Sequence, residues 1–285
     1  MDKTKIYIIG ASGHGKVIAS AIISAGFTPA GFFDDNSKIH GTTFFGIPVL
    51  GGQKEFATLA NPQAVIGIGD GKIRQKIIRR YTGGAWMSIV HSSAWINTSA
   101  TIEQGSVVFA GAVIQPDVTI HQHCIINTGA TIDHDCTIYD FAHVCPGVNL
   151  AGNVTIGKGA WIGIGSQVIQ GVSIGEGSII GAGATVINDI PANVVAVGTP
   201  ARVIKRMETG DRRRETGDRT RRKGRSLKSV IRGWPGKERR TEKQSFLLPA
   251  SFLPFFVSLY FQILKKVQHA KHKILPLARI RGRRT

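Results

Sequence analysis

Between Val90 and Val186 every sixth residue is aliphatic: Val90, Ile96, Ile102, Val108, Ile114, Ile120, Ile126, Ile132, Ile138, Val144, Leu150, Ile156, Ile162, Val168, Ile174, Ile180 and Val186. Chance does not produce seventeen consecutive rungs. Two residues before most rungs the side chain is small, as at Ala100, Ser106, Ala112, Ala130, Ala142, Ala160, Ser166, Ser178 and Ala184. A period of six with an aliphatic rung and a small inward neighbour predicts a parallel β-helix built from hexapeptides. Three short strands close each coil, large aliphatics stack at the corners, and small residues fill the narrow space between faces. At about 4.8 Å per coil, roughly five to six coils make a rod of about 25–30 Å. Flat outer faces suit side-by-side assembly, commonly as a trimer.

The chain has 285 residues, room for more than one domain, and its 35 glycines suit a turn at every coil corner. Its net charge of +18 suggests a nucleic-acid binder until it is divided along the chain. Residues 1–207 carry 14 Lys+Arg against 12 Asp+Glu, a net of +2, whereas residues 208–285 carry 22 against 6, a net of +16. The basic character belongs to the tail and says nothing about the body. Cys124, Cys136 and Cys145 lie inside the ladder, the first two on small inward positions, and read as packed thiols. The apolar run Ile6–Ile9 is cut off by glycine, so no secretory segment is expected and the compartment reads as cytoplasmic.

Before the ladder, residues 5–9 read as a buried strand, followed by Gly10-Ala11-Ser12-Gly13-His14-Gly15-Lys16 and an apolar helical pattern from Val17 to Ala25. Strand, glycine loop and helix open a nucleotide-binding α/β unit. Val17 stands where a phosphate loop needs a hydroxyl for Mg²⁺, which excludes a nucleoside triphosphatase, and the spacing is not that of the dinucleotide fingerprint. What remains is either a tight turn or a loop whose N–H groups hold an anion such as a diphosphate. A second strand, Ala30–Phe33, ends in Asp34-Asp35, placed to accept from ribose hydroxyls or a base N–H, or else to cap a helix or turn. A third strand, Ala64–Ile68, precedes Gly69-Asp70-Gly71 and a basic helix, Lys72–Arg80. These elements predict a small Rossmann-like βαβαβ domain, too short for a complete dinucleotide fold.

After Arg206 the character changes. Residues 208–214 and 215–221 form a near-exact tandem of seven without hydrophobic content, which cannot build a core. The run Phe246–Leu264 has no charge but is broken by Pro249 and Pro254, so it barely reaches the length of a membrane span. The tail, 207–285, therefore reads as a basic low-complexity appendage, with membrane contact through 246–264 as the alternative.

A β-helix is scaffold, and its chemistry comes from polar residues between the rungs. They concentrate at His121, His123, Asn127, Asp133, His134, Asp135, Asp140 and His143. Asp135 beside His134 is the pairing a general base needs. His134 and His143, half a coil apart, fall on different faces, so they meet only across a subunit boundary or serve different parts of one cleft. His121 and His123 read as surface histidines without a role. No metal-ligand spacing and no serine elbow is present, so neither a metal site nor a covalent serine mechanism is expected.

Four motifs carry a family resemblance: Ile9-Gly10-Ala11-Ser12-Gly13-His14-Gly15; Asp34-Asp35; Asn127 through Ile132-Asp133-His134-Asp135-Cys136; and Phe141-Ala142-His143-Val144 leading to Ala151-Gly152-Asn153-Val154. Val197-Gly198-Thr199-Pro200-Ala201 closes the pattern. Residues 1–207 resemble the NeuD/PglD-like sugar acetyltransferases, a group of UDP-4-amino-sugar N-acetyltransferases and sialic acid O-acetyltransferases. The resemblance implies a nucleotide-sugar-binding Rossmann-like domain over 1–85 and a left-handed parallel β-helix acetyltransferase domain over 86–206. It implies His134 as general base supported by Asp135, where the N-acetyltransferases have Glu. It places the acceptor against Gly10, Ser12, Gly13, His14, Asp34, Asp35 and Asn127. It assigns His143, Gly152, Gly163, Gly181 and Gly183 to acetyl-CoA, a homotrimer to the assembly, and direct attack without a covalent enzyme intermediate to the mechanism.

The expected activity is transfer of acetyl to the amino group of a UDP-linked amino sugar. Its rivals are O-acetylation of sialic acid or another sugar hydroxyl, which asks for the same base, and a catalytically silent β-helix scaffold.

Overall fold

The computed structural model describes residues 4–81 and 83–207. The tandem repeat and the run Phe246–Leu264 lie outside the described residues. Among the described residues no helix is long and apolar enough to cross a membrane.

Residues 5–86 form a six-stranded sheet with its helices. In chain order the elements are β1 (Lys5–Ile9), α1 (Gly13–Ser24), β2 (Thr28–Phe33), β3 (Thr43–Phe44), β4 (Ile47–Gly51), α2 (Gln53–Phe56), β5 (Gln63–Ile66), α3 (Gly71–Arg80) and β6 (Ala85–Trp86). The sheet order is β3-β4-β2-β1-β5-β6, parallel except for the β3–β4 hairpin. The strand-loop-helix opening forms as the sequence predicts, and the segment around Gly46-Ile47-Pro48 adds the hairpin edge. Parallel strands covered on both faces bury near-continuous apolar runs. Ile6, Ile8 and Ile9 are all sealed from solvent.

The ladder becomes seventeen two-residue strands, β7 (Ile89–Val90) to β23 (Thr185–Val186), and each of them ends on one rung. They stack on three faces, in register every 18 residues, so Val107 pairs with Ile125 and Ile125 with His143. From Val108 onward the rungs are buried, and so are their small neighbours, including Ser106, Cys124 and Cys136. The first face is extended by β24 (Val194–Val197) and β25 (Arg202–Arg206). The third residue of many corners sits at positive φ, as at Asp117, Asp135 and Asn153 on one edge; such short polar side chains tolerate the left-handed region.

The residue before each rung points outward and reveals what each face meets. On the third face these residues are Thr101, Thr119, Thr137, Thr155 and Ser173, suited to water. On the first face they begin Ile89, Val107, Ile125, and all three are buried with Phe109 in one cluster with Ile18, Ile22 and Phe32 of the N-terminal sheet. The N-terminal domain is thus docked on the first face of the prism. Each such side chain stabilises the contact by about 1.5–3 kcal/mol.

Candidate active site

The glycine loop is built by close approach of backbones. Gly10 has φ +110, and a Cβ there would lie 2.8 Å from Ile68; a Cβ on Gly15 would lie 2.1 Å from the Gly10 carbonyl oxygen. Only glycine brings β1, α1 and the turn after β5 this close. Gly13 and Ser12 stand at the open N-terminus of α1, and a Cβ on Gly13 would meet nothing within 4 Å. Asp34 accepts from the Ala11 N–H at 2.8 Å and the Asn36 N–H at 2.9 Å, so it braces the loop. Asp35 accepts from the backbone N–H (2.9 Å) and the side-chain amide (2.7 Å) of Gln53 at the start of α2. Both acids therefore have a structural task within the domain, and the capping alternative is realised for Asp35.

His14 turns from the first turn of α1 onto the prism. Its ring packs edge-on against Phe109 at 5.5 Å and lies 6.1 Å from the ring of His143. His143 stacks on Trp161 at 5.9 Å and its Nε2 lies 3.2 Å from the amide nitrogen of Asn127. Burial first, and then the charge of Arg74, hold both rings neutral: His14 is pushed down to about 4 and His143 to about 3, with His14 adding to the effect at His143. The structure thus brings together His14, Asn127 and His143.

His134 stands elsewhere, on the corner between the second and third faces. Its Nδ1 lies 2.7 Å from Asp135 Oδ2, and both side chains are more than half exposed. The bond to Asp135, ahead of the Asp133 and Asp135 charges, raises the His134 pKa above the ordinary value. With Nδ1 engaged, Nε2 is left as the basic atom. Asp135 occupies a left-handed corner (φ 61), a conformation that suits Asp better than the longer Glu. Gly152 lies one coil beyond His134, and a Cβ there would come within 2.6 Å of the ring's Cε1 and Nε2. This glycine makes room for the His134 ring. Gly152→Ala is expected to leave the prism folded and lower kcat by about 10–100-fold through displacement of the ring. A rise in KM for acetyl-CoA with kcat unchanged would instead assign Gly152 to the cofactor alone.

Gly163 and Gly181 share the edge between the first and second faces with Asn127 and Cys145, at intervals of 18 residues. A Cβ on Gly163 would lie 2.5 Å from the Ile180 carbonyl oxygen, and one on Gly181 2.7 Å from Val197, so coil-to-coil approach already requires glycine at both. Gly183 has φ +66, and beside it, as beside Gly165, a Cβ meets nothing within 4 Å. The result is an outer corner in which glycines flank the exposed Ile164 side chain and the small Ala182.

His123 is a correction. It is no surface histidine but 2 % exposed, stacked on Phe141 at 5.3 Å and edge-on to Trp86 at 5.8 Å. His121 is paired with Glu103 at 3.0 Å and stacked on Tyr139. Glu103, His121 and Asp140 hold donor atoms within 4.8 Å of one another, with His121 hydrogen-bonded to Glu103 and Asp140 paired with Lys158 at 3.5 Å. All three cysteines are free and buried, and the indole N–H of Trp161 donates to Cys145 Sγ. Arg74 escaped notice in the sequence as one cation of a basic helix; it is 2 % exposed and bonded to both domains.

The PglD N-terminal domain family matches residues 5–81, and bacterial transferase hexapeptide repeats match 99–134 and 153–188. Perosamine N-acetyltransferase from Caulobacter crescentus, solved as a histidine-to-asparagine mutant with CoA and GDP-perosamine, is 35% identical with a TM-score of 0.67, covering 70% of this chain and 97% of its own. The acetyltransferase domain of PglB from Neisseria gonorrhoeae, solved with acetyl coenzyme A, is 35% identical with a TM-score of 0.68, covering 71% and 100%. WeeI from Acinetobacter baumannii is 27% identical with a TM-score of 0.60, covering 70% and 100%. An uncharacterised protein of Acanthamoeba polyphaga mimivirus is 32% identical over 103 residues, which is 36% of this chain and only 21% of that protein. Fold and site define a hexapeptide-repeat acyltransferase that uses acetyl-CoA. The chain belongs to the NeuD/PglD-like family of sugar N-acetyltransferases.

Proposed function

We propose that this chain transfers the acetyl group of acetyl-CoA to the amino group of a nucleotide-linked amino sugar, with His134 as general base. The observation that carries the mechanism is the His134–Asp135 pair: an exposed imidazole oriented through Nδ1, raised in basicity, with Nε2 free. Acetyl-CoA supplies the acyl group as an activated thioester. As the amine attacks the thioester carbonyl, His134 Nε2 takes the amine proton, and Asp135 stabilises the imidazolium that forms. His134 returns the proton to the departing thiolate, so the amide forms, the thioester bond breaks and the base is regenerated. Asn127 donates one amide hydrogen to His143 Nε2, which orients the amide, and its other amide hydrogen is left for the developing charge on the carbonyl oxygen.

For the acceptor, the N–H groups at the start of α1, around Ser12, Gly13 and His14, suit a diphosphate. The GDP-perosamine held by the Caulobacter relative supports a nucleotide-linked amine and leaves guanosine beside the expected uridine as candidate base. The glycine corner through Gly163, Gly181 and Gly183 suits the pantetheine arm. Because His134 and the Asn127–His143 pair occupy different edges, a second copy must complete the site, which supports a homotrimer. A groove of about 490 Å³ on the second face, lined by Thr131, Asn149, Gln167 and Ile169, offers a surface for that contact. Acetyl-CoA as co-substrate and three free thiols favour the cytoplasm.

The test is release of CoA by the full chain with acetyl-CoA and a panel of GDP- and UDP-linked amino sugars, with free sialic acids as the competing hydroxyl acceptors. Turnover with an amino sugar is expected; turnover with sialic acid alone would move the assignment to O-acetylation. A monomer by light scattering would sink the shared site. Replacing Asp135 with Asn removes the support that raises the His134 pKa. The acid limb of kcat/KM against pH is then expected to move to lower pH while the plateau rate falls. An unmoved limb would remove Asp135 from the mechanism.

A further inference from the structure

Helix α3 buries Arg74 at the junction of the two domains, and among the described residues no carboxylate pairs with it. Its donors all go to backbone carbonyls. On the N-terminal side Nη1 donates to Gly69 at 2.7 Å and Ile68 at 3.3 Å. On the prism Nε donates to His123 at 3.1 Å, and Nη2 to Phe141 at 2.6 Å and Ala142 at 3.3 Å. A planar fork with five hydrogens suits this bridging; a lysine has three donors on one atom. A buried cation is costly without partners, yet helix packing alone would be served by an aliphatic residue.

What the fork reaches gives the reason. Phe141 and Ala142 directly precede His143. Gly69 precedes Asp70, the cap of α3, and a Cβ on Gly69 would lie 3.7 Å from the His143 ring. Gly71 is tighter still: a Cβ there would lie 2.9 Å from the Phe141 carbonyl oxygen, too close for a side chain to fit without a shift. The loop that opens α3 is thus laid directly on the strand that carries His143.

We propose that Arg74 is a positioning residue for acetyl transfer, locking the Ile68–Gly71 loop to the backbone of Phe141–His143 so that the acceptor-holding domain and the prism site form one rigid frame. This rests on the acetyltransferase reading above. Arg74 itself touches no substrate; it acts through His143 and the loop. Its charge also bears on the His143 ring, and Arg74 and His14 are the charged or titratable groups that do so.

The experiment compares the full chain with Arg74→Met, Arg74→Lys and Gly71→Ala. In Arg74→Met kcat is expected to fall about tenfold or more, with KM for acetyl-CoA within about threefold, because the reacting groups lose alignment while the glycine corner is untouched. Arg74→Lys is expected to recover part of the loss, and Gly71→Ala to lose kcat with the charge intact. A folded Arg74→Met with kcat within about threefold of the parent overturns the proposal; if that variant does not fold, the same result in both Arg74→Lys and Gly71→Ala overturns it. The His143 ring, followed by NMR at pH 7, needs no turnover. Its ring resonances are expected to shift in Arg74→Met as the loop loses its hold on Phe141 and Ala142, and to stay near the parent in Arg74→Lys; no shift in Arg74→Met overturns the proposal. A parent chain that acetylates no acceptor would count against the acetyltransferase reading, and the NMR result would still decide whether Arg74 governs His143.

Discussion

Replacing His134 with asparagine is expected to lower kcat by about 10²–10⁴-fold, the range that a positioned general base supplies, while acetyl-CoA and acceptor still bind. The ring is exposed, and its side-chain bond is to Asp135, so its removal leaves no buried group unpaired. The melting temperature should accordingly stay within a few degrees of the parent. Asparagine keeps a polar side chain at the corner but has no basic nitrogen for the amine proton. Single-turnover rates with pre-bound acetyl-CoA would separate the chemical step from binding. A variant that retains more than about a tenth of kcat would show that the base lies elsewhere. Residual activity rising steeply with pH would show that the acceptor amine, once deprotonated, reacts through alignment alone.

The fold was legible because its determinant is one-dimensional. A rung every six residues cannot be met by a helix or a flat sheet, and the seventeen strands end on the seventeen rungs. The His134–Asp135 pair was legible for a similar reason: adjacent residues at an exposed corner need no tertiary information to meet. Residues governed by the docking of the N-terminal domain were not. His123 occupies an outward corner position that would face water on an isolated prism; Trp86 and the α3 helix bury it. Arg74 shares a helix with Lys72, Lys76, Arg79 and Arg80, and composition does not say which cation turns inward. A signal existed. At intervals of 18 residues the outward positions read Ile89, Val107, Ile125 on one face and Thr101, Thr119, Thr137 on another, and that contrast marks the face something must cover. Gly152 shows the opposite case: the family resemblance assigns it to the cofactor, but only the fold reveals that it also makes room for the His134 ring.

The docked interface makes the protein sensitive to acid. His14, His123 and His143 are held neutral at about 4, 4 and 3, in each case by burial first and the Arg74 charge second, with Asp140 opposing the effect at His123. A folded-state pKa below the ordinary 6.5 means that the unfolded chain binds protons which the folded chain refuses. Stability is therefore complete above about pH 6.5 and is lost as the pH falls from there toward the folded-state values. A tenfold weaker hold on a proton corresponds to about 1.4 kcal/mol, so the three rings together cost on the order of several kcal/mol, comparable with the net stability of an ordinary domain. Urea unfolding should show a midpoint that is flat above pH 7 and falls steeply below pH 6. His123→Phe isolates one contribution. The same corner one coil later carries Phe141 at φ 60, so the backbone accepts a phenyl ring, and the Arg74 bond to the residue 123 carbonyl survives. Near pH 4.5 this variant is expected to be more stable relative to the parent than at pH 7 by about 1–3 kcal/mol. Identical pH dependence in the two proteins would mean that the His123 ring takes up its proton in the folded state without cost, and the acid-sensitive interface would lose its most buried member.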